Sequence, residues 1–143
     1  MNLYKKLFLA SAFCCASISA TAADFDGTKT LLCALMESSE CLPGSGCVTG
    51  TADSINLPNF INVDFKKKMI TSKDPVTAPA DTKKKPRNAK IKRMEQIEGL
   101  TILQGAQNGR GWGMSISHAD GKMTLSASGD STGFVVQGAC TSR

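Results

Sequence analysis

The stretch Gly99–Cys140, GLTILQGAQNGRGWGMSISHADGKMTLSASGDSTGFVVQGAC, decides how this chain folds. Apolar residues alternate along it and short Gly-containing turns interrupt it, which is the pattern of a β-meander. Glu98-Gly99 reads as a tight turn and Leu100–Gly105 as a strand. Asn108-Gly109 predicts a hairpin, because both central residues of a type I′ turn need positive φ. In the next run Trp112, Met114, Ile116 and His118 share one face, and Gly113, Ser115 and Ser117 share the other. Ala119-Asp120-Gly121 turns the chain into a strand whose inner face is Met123, Leu125 and Ala127. Beyond the turn at Gly129–Thr132, Gly133–Cys140 is the closing strand.

Upstream, the pattern is less regular. Thr30–Glu40 fits a helix through Leu31, Leu32, Leu35 and Met36, and a strand through Leu31, Cys33 and Leu35. The strand is favoured, because Cys33 must reach the last strand. Ser54–Phe65 places Ile55, Leu57, Ile61, Val63 and Phe65 on one side, so it predicts a single strand with Pro58 at a bulge or edge. Lys66, Lys67 and Lys68 form a charged turn before a return strand starting at Met69. Ala89–Ile97 is a further strand, with Ile91 and one of Met94 or Ile97 facing inward. The expectation is an all-β fold, a small antiparallel meander of seven to eight strands closing into a lipocalin-like barrel or a sandwich. Either solution shields exposed strand edges.

Residues 1–23 have the composition of a secretory signal peptide: Lys5 and Lys6, an apolar run from Leu7, and small residues at Ala20, Ala22 and Ala23. The apolar run is shorter than the roughly 20 residues a spanning helix needs, and no later run is apolar enough to span. The expected product is residues 24–143, one β domain destined for the periplasm or the exterior, with a basic Pro/Lys-rich loop at 73–88.

Its cysteines are then Cys33, Cys41, Cys47 and Cys140, an even set that predicts disulfides in an exported protein. The turn Leu42-Pro43-Gly44-Ser45-Gly46 brings Cys41 to Cys47, which leaves Cys33 for Cys140. The rival is a four-thiolate zinc site, but paired C-x2-C knuckles are missing. No C-x-x-C redox motif is present either.

GKMTLSASGDSTGFVVQGACTSR, GLTILQGAQNGRGWGMSIS and SINLPNFINVDFKKKMI, with the four cysteines, resemble a family of small secreted bacterial proteins of unknown function. The likeness covers most of residues 24–143 but not the loop Lys73–Asn88. It implies export and a compact β-rich domain, and carries over no functional residue.

Chemistry-bearing groups are sparse. His118 is the sole histidine, and one imidazole beside Asp120 makes neither a triad nor a metal site, so no enzyme, metal or cofactor is expected. Gly109-Arg110-Gly111 is not a phosphate loop, since no G-x-G-x-x-G or βαβ unit surrounds it. Trp112, Met114, Phe60, Phe65 and Phe134 are candidates to line a pocket, with Gly105, Gly113, Ala127 and Gly138 leaving interior space. Between Lys66 and Arg93 eleven Lys or Arg face only Asp74 and Asp81, whereas the rest of residues 24–143 is acidic. Lys83, Lys84, Lys85, Arg87, Lys90, Lys92 and Arg93 are therefore candidates for docking on an anionic surface. Export argues against nucleic acid as the partner. The expected function is a non-enzymatic envelope module that binds a small apolar ligand or an anionic surface; the alternative is a structural or protein-interaction domain with no small ligand.

Overall fold

Leu31, Cys33 and Leu35 point to one side of a strand that runs Leu31–Leu42 (β1), and burying that side against three neighbours makes β1 the hub of the fold. The computed structural model describes residues 24–73 and 87–143; the expected leader and residues 74–86 lie outside them. The other strands are β2 (Gly46–Gly50), β3 (Phe60–Asp64), β4 (Met69–Lys73), β5 (Asn88–Lys90) and β6 (Arg93–Ile97). The regular half follows as β7 (Leu100–Gln107), β8 (Arg110–Ser117), β9 (Lys122–Ser128) and β10 (Gly133–Ser142). Every pairing is antiparallel, in the order β5-β4-β3-β1-β10-β9-β8-β7-β6, with β2 added on β1.

The two ends of that order are neighbours in the chain. Only Ile91 and Lys92 separate β5 from β6, and they face opposite partners: Ile91 N–H donates to Lys68 O (2.9 Å), Lys92 N–H to Gln104 O (2.8 Å). One bent strand thus leaves β4 and joins β7, and the sheet curls into a barrel-like, all-β fold. Counted this way, eight strands form the circuit, as the meander pattern predicts. The bend brings the two terminal strands of the sheet together, which shields edges that a flat sheet would expose.

Turn chemistry agrees with the sequence. Glu98-Gly99 has φ of 48° and 79°, and Asn108-Gly109 of 52° and 75°, both as type I′ hairpins require. Both disulfides are those expected. Cys33 and Cys140 are direct partners in the β1–β10 ladder, and Cys41 and Cys47 are partners in the β1–β2 hairpin. Disulfides of this kind are compatible with an exported protein.

Two expectations need correction. Ser54–Phe65 is not one strand: Ala52–Ile55 is a 3-10 turn ending at Asn56 in the left-handed conformation (φ 57°), and β3 begins only at Phe60. Pro58 cannot donate to a ladder, so the strand starts after it. On β6, neither Met94 nor Ile97 is an inner residue, being 38% and 50% exposed, because the bend at Ile91-Lys92 resets which face points inward.

Candidate functional site

The lower half of the barrel is filled and its floor is closed. Leu31, Cys33, Val63 and Ile116 are fully buried there. The lead-in before β1 covers the floor with Phe25, which packs against the core. Thr101 Oγ1 donates to Phe25 O (3.0 Å) and lies 2.9 Å from His118 Nε2, and Gln96 Nε2 donates to Asp26 O. With its one hydrogen committed to Phe25, the Thr101 hydroxyl accepts from the Nε2–H of His118.

The upper half is different because its inward positions are small. Ser72, Ala89 and Ala127 leave a cavity of about 450 Å³ that opens at the top rim. Leu35, Ile61, Ile70, Met114 and Leu125 make its apolar floor and walls, with Trp112 and Phe134 above them. A strap formed by Asn56, Leu57 and Pro58 crosses one side, so Pro58 does more than precede a strand. The β7–β8 hairpin supplies the opposite side through Gln107, Asn108 and Arg110. The size and the mixture of apolar wall and sparse polar rim are those of a small-molecule site.

Among the described residues, charge at the rim has one sign: Arg87 and Arg110 line the mouth, and no Asp or Glu does. The Arg87 guanidinium donates to Asn56 O, its backbone N–H donates to Ser72 Oγ (2.8 Å), and Gln107 Nε2 donates to Asn88 O (2.8 Å). These bonds tie the strap, the start of β5 and the hairpin into one rim. Among the described residues neither arginine forms an ion pair. A second depression, along Gly113, Ser126, Ser128 and Val135, is more open to solvent.

Of the candidate lining residues, Trp112, Met114 and Phe134 come together around this cavity. Phe60 and Phe65 do not. Phe60 is 41% exposed because it alternates with the inward Ile61, and Phe65 is buried next to Gly27 at the closed end. Of the candidate spacers, Gly105 and Ala127 face the interior, while Gly138 serves a close approach of β1: a Cβ there would overlap Ala34 O. The register of β1 against β10 shifts nearby, between Leu35 and Glu37.

Among the described residues, the basic candidates are split between the mouth and the bent strand. Lys83, Lys84 and Lys85 lie outside the described residues, and Arg87 belongs to the mouth. Lys90, Lys92 and Arg93 are exposed along the bent strand, with Arg93 paired to Glu95. At the closed end, Lys122 Nζ lies 2.9 Å from Asp120 Oδ2. Hydrogen bonds from Lys122 first, and Ser117 next, hold the Asp120 carboxyl at about 2. His118 and Asp120 thus have structural partners. Among the described residues no group of three His, Cys, Asp or Glu side chains is placed to hold a metal ion, and no helix is long and apolar enough to cross a membrane.

Sequence reading misses Arg110 and the strap as site residues. The only signal is that Arg110 directly follows the Asn108-Gly109 turn, which places it at a strand end; which end of the barrel opens is not encoded locally. Comparison with protein-family models, curated proteins and solved structures finds no match to this chain.

Proposed function

We propose that this protein is a non-enzymatic, exported binding module that holds a small, largely apolar ligand in the open half of its barrel. The observation that carries this reading is the cavity of about 450 Å³ between Trp112, Phe134 and the apolar walls, open at the rim above the packed core. A purely structural domain gains nothing from leaving such space, since unfilled apolar volume forfeits packing. Export to the periplasm or beyond and kinship with small secreted four-cysteine bacterial proteins belong to the same proposal. The composition of residues 1–23 and the two disulfides support them.

The neutral apolar dye N-phenyl-1-naphthylamine tests the cavity directly. Its fluorescence is expected to rise on titration into the folded protein, and Ala127→Phe, which fills the mouth, is expected to abolish the rise while leaving the circular dichroism unchanged. A wild-type protein that leaves the dye dark, or a filled variant that binds it equally well, rules out the ligand reading. Native mass spectrometry of protein purified from its own host would then identify what is retained.

A further inference from the structure

Resting on the cavity reading, we propose that the ligand is a single-chain amphiphile with an anionic headgroup, its chain in the barrel and its head between Arg87 and Arg110. Three features on different elements converge on this class. The cavity is open to solvent at its rim and backed by apolar walls, so a bound molecule keeps one part in water and another against hydrocarbon. Inward from the rim the walls are apolar, from Leu57 and Phe134 to Leu35, Ile61 and Met114. Among the described residues, the charged side chains that line the site are two guanidiniums and no carboxylate.

The arginines are positioned rather than merely nearby. Arg87 is held over the strap by its bond to Asn56 O, and among the described residues the rest of its fork makes no hydrogen bond. Arg110 lies along the backbone of Gly129, where an added Cβ would come 3.2 Å from Arg110 Cγ, so the side chain is laid across the β9–β10 turn. A planar fork matches a carboxylate or phosphate oxygen pair, and a partly desolvated site strengthens that contact. A cationic head would meet like charge at the same place, and an uncharged head would leave the guanidiniums without an anionic partner. Buried methylenes supply affinity, about fourfold for each one added until the chain fills the cavity.

Competition against the neutral dye tests the head and the chain separately. Dodecanoate, dodecan-1-ol and dodecyltrimethylammonium carry the same chain with anionic, neutral and cationic heads, and each is titrated below its micelle concentration. The expected result is that dodecanoate displaces the dye at least tenfold more tightly than the other two, a preference in the range of charge-assisted hydrogen bonding. In Arg87→Gln/Arg110→Gln the ratio of dodecanoate to dodecan-1-ol is expected to fall to near one. The quantity read is a ratio within one protein, so a general loss of affinity does not imitate the effect. Equal displacement by dodecanoate and dodecan-1-ol, or an undiminished ratio in the double variant, overturns the headgroup assignment while the cavity reading stands. Failure of the dye to bind the wild type removes both.

Discussion

The indole of Trp112 on β8 covers the backbone of Gly105, its direct partner on β7, so closely that a Cβ at 105 would overlap Cζ2 of the ring and lie 2.7 Å from Lys90 O. One glycine therefore serves two strands. It gives the only tryptophan a shelf beside the mouth, and it lets the bent strand approach β7 where the circuit closes.

Gly105→Ala is accordingly expected to destabilise the protein by about 1–3 kcal/mol, the range of a core forced to accept an extra methyl. It should also shift the Trp112 emission maximum. Gly113→Ala, one residue along β8, meets only ordinary contacts at 3.9 Å and should stay within about 0.5 kcal/mol of wild type. Denaturant titration followed by tryptophan fluorescence measures both, and equal effects would contradict the shelf.

The two disulfides should differ in what they contribute. Cys33–Cys140 spans a sequence separation of 107, whereas Cys41–Cys47 spans 6. In the chain-entropy account, removing the first as Cys33→Ala/Cys140→Ala costs about 4–5 kcal/mol and removing the second about 2 kcal/mol. Thermal unfolding of the two double variants decides, and a larger loss for Cys41→Ala/Cys47→Ala would show that the hairpin, not the closure, governs stability.

Thr101→Val should loosen the closed end. Thr101 is fully buried, and its hydroxyl joins the lead-in at Phe25 to His118 on the β8–β9 connection. Valine keeps the shape and leaves Phe25 O and the imidazole without that partner, a loss of about 1–3 kcal/mol. Amide hydrogen exchange is expected to quicken in residues 24–30 and not at the mouth.

Asp120 provides a check on electrostatics. Its carboxyl titrates at about 2 in the folded protein against an ordinary value of 3.8. The folded value is the lower one, so whatever stability this group contributes is complete above about 3.8 and is lost as the pH falls toward about 2. Carbon-detected NMR of the side chain should show the low midpoint, and Lys122→Met should move it up toward 3.8. An unmoved midpoint would mean that Lys122 is not its cause.

The residues themselves determined the strand content, the type I′ hairpins, the inner row of Trp112, Met114 and Ile116, and the Cys41–Cys47 disulfide, because each depends on period-two alternation or on local turn chemistry; Cys33–Cys140 followed only by elimination. Trp112, Met114 and Phe134 were legible as lining residues for the same reason. Tertiary structure alone decided that the chain bends at Ile91-Lys92 to join the two sheet edges, since that choice is made by hydrogen bonds to Lys68 and Gln104, far apart in sequence. It also decided which end of the barrel is sealed. Phe25 and Thr101 meet across a separation of 76 residues, and only when that floor is in place do the small residues Ala89 and Ala127, the strap at Asn56–Pro58 and the arginines at 87 and 110 become the rim of one mouth. Local pattern specifies which way a side chain faces; long-range closure specifies what it faces.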